Sequence, residues 1–135
     1  MIYGIGCDLC SISRLRKSLS GEHSARFIQR VYGQAERTAL QLDEAAGTPR
    51  RDAHRIASAA ANFAAKEAFL KAAGTGLCEP FALCEIQAIR LESGAPQYQF
   101  SGQTAHWVEQ HHLTAHLSLS HEDDTAMAYC ILEQR

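Results

Sequence analysis

From Thr48-Pro49 to Gly74 the chain holds nothing that would stop a helix, and alanine dominates the run. Threonine is a good capping residue, and proline suits the first helical position because its missing N–H has no partner there anyway. Alanine has the best intrinsic helix propensity, and its small side chain lets neighbouring elements come close. Ile56, Ala60, Phe63 and Leu70 fall on one stripe, and Gly74 is a natural left-handed terminator. In a chain of 135 residues a helix this long has to be the spine on which everything else packs. A chain of that size buries roughly 65–70% of its unfolded surface, enough for a core without disulfide staples.

The flanking segments read as α+β. Before the spine, "IYGIGC" alternates as a strand from Ile2 to about Cys7, with Asp8 where it ends. Its glycines allow something to approach closely. Ser11 can cap a short helix through Ile12, Leu15 and Leu19, broken at Ser20-Gly21. Two more helices are expected over Ala25–Val31 and Gln34–Ala45. After the spine, "LCEIQAIRLE" is strand-like, Ser93-Gly94-Ala95-Pro96 turns, and "QYQF" alternates. "SGQTAHWVEQHH" reads as a short helix, and "TAHLSLSH" and "TAMAYCILE" pair as a hairpin across "EDD". The expected architecture is one domain over residues 1–135, with an antiparallel sheet packed against the long alanine-rich helix.

Composition removes several function classes. The net charge of −2 gives no general reason to bind nucleic acid. No apolar run nears the ~18 residues that span a bilayer, so no membrane role is expected. "MIYGIGCD" lacks a basic segment followed by an apolar one, so no secretory signal is read and the cytoplasm is the expected address. Five scattered cysteines argue against a disulfide framework. Cys7-x-x-Cys10 has redox and zinc spacing but no second pair, and small buried thiols are the expectation. The first third is locally basic, with Arg14, Arg16, Lys17, Arg26, Arg30 and Arg37. Such a run is either a solvated helix face or a dock for an acidic partner.

The chemistry concentrates in "NFAAKEAFLKAAGTGL", Asn62 to Leu77. Glu67 and Lys71 stand i,i+4, which can mean an ordinary helix ion pair worth about 0.3–0.5 kcal/mol. Against that, they precede Gly74-Thr75-Gly76, where backbone can approach a ligand, and the flanking Phe63, Leu70 and alanines say that the helix is largely buried. Asp8 supplies a second carboxylate from a different element. Two carboxylates, with waters and phosphate oxygens, make a typical Mg²⁺ site. A lysine one turn away can neutralise charge on a leaving phosphate. Ser118, Ser120 and His121 close a strand and can donate to phosphate, or they can simply be exposed. There is no G-x-S-x-G elbow, P-loop or G-x-G-x-x-G. His111, His112 and His116 straddle an element boundary and read as surface or core residues. On the residues alone, a phosphohydrolase and a non-catalytic binding module both stay open.

Three segments in this order, "GIGCDLCSISR" (Gly4–Arg14), "FAAKEAFLKAAGTGL" (Phe63–Leu77) and "LSLSH" (Leu117–His121), resemble the holo-[acyl-carrier-protein] synthase family of 4′-phosphopantetheinyl transferases. The chain length and the lack of a duplicated half resemble its small bacterial type. The resemblance implies a 4′-phosphopantetheinyl transferase-like fold. It also implies Mg²⁺-dependent transfer of phosphopantetheine from coenzyme A to a serine of apo acyl carrier protein, releasing adenosine 3′,5′-bisphosphate. Asp8 and Glu67 would hold the metal, Lys71 would steady the leaving phosphate, and Gly74, Thr75, Gly76, Ser120 and His121 would line the coenzyme A path. Arg14, with Arg16, Lys17 and Arg26, would grip the acidic helix of the carrier protein. The family implies a homotrimer with sites at subunit junctions. Two features depart from its pattern. Asn62 stands where arginine is common, which puts one basic contact near cofactor or partner in doubt, and the connection around Leu42–Arg55 is longer than usual.

Overall fold

The computed structural model describes residues 1–45 and 47–135. The spine forms as one helix, α4 (Pro49–Ala73), after β1 (Ile2–Ser11), α1 (Ile12–Ser20), α2 (Ser24–Val31) and α3 (Gln34–Leu40). Thr48 Oγ1 accepts from the Arg51 N–H at 3.2 Å. At the other end Gly74 takes a left-handed φ of 84° while its N–H donates to the Leu70 and Lys71 carbonyls. Beyond α4 come β2 (Ile86–Arg90), β3 (Pro96–Phe100), α5 (Gly102–Gln110), β4 (Leu113–Glu122) and β5 (Thr125–Gln134). The strands form an antiparallel sheet in the order β1-β5-β4 and a separate β2-β3 ribbon.

The glycines of β1 set the distance between sheet and helix. Gly4 and Gly6 face α4, and a Cβ on either would collide with backbone, the Ala72 and Ala68 carbonyls respectively. Alanines on the helix side complete the close contact, so strand and helix backbones nearly touch. One end of α4 packs Ile56, Ala59 and Ala60 against Ile12, Leu15, Ile28 and Tyr32. The other end builds an aromatic cluster around Phe69, whose ring meets those of Phe81, Tyr98, Phe100 and Trp107. Among the described residues nothing covers the opposite face of the three-stranded sheet, leaving Ile5, Leu9, Met127 and Tyr129 exposed.

The elements depart from the sequence reading in four places. β1 continues past Cys7 to Ser11, because β5 is long enough to pair it as far as Ser11–Thr125. Asp8 therefore lies within the strand rather than at its end. Helix α3 stops at Leu40, since Gln41 adopts a left-handed φ of 56°. "LCEIQAIRLE" is not one strand: Leu83–Glu85 form a 3-10 turn and the strand begins at Ile86. Its polar residues serve helix starts instead. Glu85 Oε1 accepts from the Thr104 N–H and hydroxyl at α5, and Gln87 Oε1 accepts from the Ala35 and Glu36 N–H groups at α3. Finally, the strands make two sheets rather than one.

Candidate active site

Period-two alternation puts Asp8 on the same face of β1 as Gly4 and Gly6, toward α4. The close glycine–alanine contact then brings its carboxylate to the C-terminal turns of the helix. Lys71 Nζ donates to Asp8 Oδ1 and to the Cys7 carbonyl, each at 3.0 Å. The i,i+4 pair between Glu67 and Lys71 does not form, because the lysine turns to the strand. Glu67 is partly buried and has no ion pair among the described residues. Its carboxyl is pushed up first by burial and second by the charge of Asp8, with Lys71 opposing. Lys71 is pushed up chiefly by its hydrogen bond to Asp8 and then by that carboxylate's charge.

Glu67 feels the charge of Asp8, and one exposed ammonium serves both carboxylates. Two carboxylates sharing a site favour uptake of either a proton or a cation. Oxygen donors on two rigid elements, open on one side, fit a magnesium ion that keeps waters and substrate oxygens as its other ligands. Among the described residues no group of three or more His, Cys, Asp or Glu is arranged for metal binding, so a pair with outside ligands is the arrangement offered.

Gly74-Thr75-Gly76 leaves the helix one turn beyond Lys71 and is exposed. Gly74 and Gly76 have φ of 84° and 66°, and a Cβ at either would meet nothing. Glycine is needed here for backbone conformation and not for space. Two cavities flank this region and share Phe27 and Phe63, the latter one turn before Glu67. One, of about 250 Å³, is lined by Leu9, Cys10 and Arg14. The other, of about 710 Å³, is lined by Arg26, Arg30 and Phe81. Arg14, Arg16, Lys17 and Arg26 are all exposed.

Ser120 and His121 are not brought to this centre. They lie on β4, across β5 from β1, and line a third cavity of about 480 Å³ with His54, Ser58 and Arg90. The Cys7/Cys10 motif also separates, as the two residues point to opposite faces of the strand. Cys7 is exposed, contrary to the buried thiol expected, whereas burial and then the charge of Asp8 push Cys10 up to about 11. His111 stacks on Trp107 with ring centroids 4.2 Å apart, and His116 meets Glu133, so neither joins a cluster.

Sequence reasoning missed the buried polar network behind the site. Lys66 and Glu36 are fully buried and paired. Lys66 Nζ also donates to the Leu83 and Ile86 carbonyls at 3.0 and 2.7 Å. Glu36 Oε1 accepts from the Gly33 N–H at 3.1 Å, and its Oε2 accepts from the Ala88 N–H at 3.1 Å. Asn62 belongs here too: it is buried, and its Nδ2 donates to Glu36 Oε2 and the Ala88 carbonyl, both at 2.9 Å. Its side chain therefore looks inward. The one signal for Glu36 was its place three residues after Gly33, the back-bonding position of a helix start.

Residues 4–130 match the family model of the 4′-phosphopantetheinyl transferase superfamily. The chain belongs to that superfamily. It is an enzyme of the 4′-phosphopantetheinyl transferase kind, in agreement with the resemblance carried by the three motifs. Among curated relatives, the holo-[acyl-carrier-protein] synthase of Delftia acidovorans is 38% identical over 135 residues, covering 100% of this chain and 99% of that one. Among solved structures, the holo-[acyl-carrier-protein] synthase of Neisseria meningitidis superposes with a TM-score of 0.79 at 31% identity, over 99% of this chain and 100% of that one. The Bacillus anthracis enzyme, solved in complex with CoA (3′,5′-ADP), gives 0.75 at 29% identity, over 100% and 99%. The α+β fold, with its antiparallel sheet against the long helix, is the fold of these neighbours.

Proposed function

We propose that this transferase moves 4′-phosphopantetheine from coenzyme A to a serine hydroxyl of apo acyl carrier protein, acting as a holo-[acyl-carrier-protein] synthase and releasing adenosine 3′,5′-bisphosphate. The observation that carries the reading is the convergence of Asp8, Glu67 and Lys71 beside the Gly74-Thr75-Gly76 exit, in a member of this superfamily. Similarity to holo-[acyl-carrier-protein] synthases over the whole chain supports the acceptor, and a related structure with coenzyme A bound supports the donor.

In this reading Asp8 and Glu67 hold Mg²⁺, which when bound supplies positive charge to the diphosphate of coenzyme A. Lys71, already positioned by Asp8, carries its ammonium toward the departing phosphate. The carboxylate pair accepts the proton as the serine oxygen attacks the pantetheine-side phosphorus. The P–O bond to the adenosine side breaks, and adenosine 3′,5′-bisphosphate leaves with the electron pair. Gly74, Thr75 and Gly76 lie along the donor's path next to Lys71. Arg14, Arg16, Lys17 and Arg26 offer exposed positive charge to an acidic carrier helix, and Arg14 and Arg26 line the two cavities that share Phe27 and Phe63.

The uncovered apolar face of the three-stranded sheet fits a homotrimer, and Ser120 and His121 would then reach a neighbouring subunit's carboxylates from across a junction. Residues 1–135 act as a single transferase domain in the cytoplasm, and no helix among the described residues is long and apolar enough to cross a membrane. The test is intact mass spectrometry of apo acyl carrier protein incubated with this protein, coenzyme A and Mg²⁺, beside a sample with EDTA. A phosphopantetheine mass gain that EDTA abolishes is expected. Consumption of coenzyme A without any gain on several carrier proteins would make the enzyme a phosphohydrolase instead.

A further inference from the structure

Helix α1 does not supply its own anchor. It is nine residues long, a length at which an isolated helix is marginal in water. Its first turn contains no acidic residue, and Ile12 and Leu15 are the side chains it buries. The missing charge comes from the far end of the chain. β1 and β5 pair as far as Ser11–Thr125, so Ile12 and Asp124, the next residue on either side, meet where the sheet stops. The Asp124 carbonyl accepts from the Ile12 N–H at 2.8 Å. Its Oδ1 accepts from the Ser13 N–H at 2.9 Å, and its Oδ2 accepts from the Ser13 and Ser11 hydroxyls at 2.7 and 3.1 Å. Ser11 Oγ in turn accepts from the Arg14 N–H at 3.3 Å. The leading N–H groups of α1 therefore all end on Asp124, those of Ile12 and Ser13 directly and that of Arg14 through Ser11. The Ser13 hydroxyl, above all, holds the Asp124 carboxyl below the usual carboxylate range, which keeps an anion at the positive end of the helix.

We propose that Asp124 is a positioning residue for the carrier protein: it fixes the start of α1 and so the direction in which Arg14, Arg16 and Lys17 are held out. The inference rests on the acceptor and the docking residues assigned above. Charge alone argues for the opposite effect. Asp124 is exposed and feels the charge of Arg16, and an acid in that place repels an acidic carrier helix. The anchor outweighs this, because a helix already fixed spares each encounter the cost of ordering its long cations. His121 does not depend on the same bonds, since it is paired with Ala126 inside the hairpin. The carrier side and the donor side can therefore be separated by experiment.

Transfer kinetics on the intact protein, with apo acyl carrier protein and coenzyme A varied in turn, make that separation. Asp124→Ala is expected to raise the carrier KM about threefold or more, because the docking helix is then in place only part of the time. The coenzyme A KM and kcat stay within about twofold. Asp124→Asn removes the same charge but keeps an oxygen for the Ser13 N–H, and it regains most of the loss. Hydrogen exchange quickens at the Ser13 and Arg14 amides in Asp124→Ala and not at the starts of the other helices. A carrier KM that falls or stays put in Asp124→Ala would overturn the proposal. Equal effects of alanine and asparagine, or matching rises in both KM values, would overturn it as well. Wild-type enzyme that transfers to no carrier protein would discard the docking role along with the assigned reaction, and faster exchange in Asp124→Ala would then keep only the anchor.

Discussion

Glu67 has two pressures on its carboxyl, burial and the charge of Asp8, and only one partial remedy in Lys71. Its pKa in the folded protein stands above the usual 4.5, so the protonated form is the one the fold favours. That favourable contribution is complete below the ordinary value and is lost as pH rises through the raised one. A divalent cation reverses the preference by binding the ionised form. The increase in Tm produced by Mg²⁺ is therefore expected to grow as pH rises through that window, and scanning fluorimetry at stepped pH measures it. Glu67→Gln should flatten this dependence and reduce transfer by at least about a hundredfold, the scale of losing a group that stabilises charge in the transition state. The variant should remain folded. A Mg²⁺ response unchanged by the substitution would remove Glu67 from the metal.

The site depends on how closely two elements approach. Gly6→Ala forces a methyl group into the Ala68 carbonyl, a backbone atom that cannot step aside. The expected cost is about 1–3 kcal/mol of overpacking, read from urea unfolding, with lower activity because Asp8 moves away from Glu67 and Lys71. Lys66 acts at the same level, joining α4 to α3 through Glu36 and to the ends of the 3-10 turn through the Leu83 and Ile86 carbonyls. Lys66→Met leaves a buried carboxylate unpaired and should cost about 3–5 kcal/mol, part of which Lys66→Met/Glu36→Gln regains. The spine, its caps, the terminal hairpin and the grouping of Asp8, Glu67 and Lys71 were legible because each follows from local spacing, or from motifs whose order the resemblance supplied. Glu36 and Lys66 were not. Their roles come from residues more than twenty positions apart meeting in the core, where a buried lysine has the same sequence signature as an exposed one. The split of "LCEIQAIRLE" was hidden for a related reason, since Glu85 and Gln87 are spent on the helix starts of distant segments.

At the scale of the molecule, one face of the β1-β5-β4 sheet has nothing packed on it among the described residues, although Ile5, Leu9, Met127 and Tyr129 all point there. A contiguous apolar patch of this kind marks an interaction surface. Tyr129→Glu, at the centre of the sheet, is expected to convert a trimer into monomers by light scattering and to remove transfer activity while leaving far-ultraviolet circular dichroism intact. A wild-type protein that is monomeric at assay concentration yet fully active would remove the assembly from the mechanism. The strand order has a genetic consequence as well. Asp8 lies on one edge strand and His121 on the other, so in the proposed trimer each subunit would give one half to each of two sites. In a ring of three, a subunit lacking Asp8 and a neighbour lacking His121 spoil different junctions. Mixed rings assembled from the two inactive variants would therefore contain intact junctions, and coexpressing them should restore activity that neither shows alone.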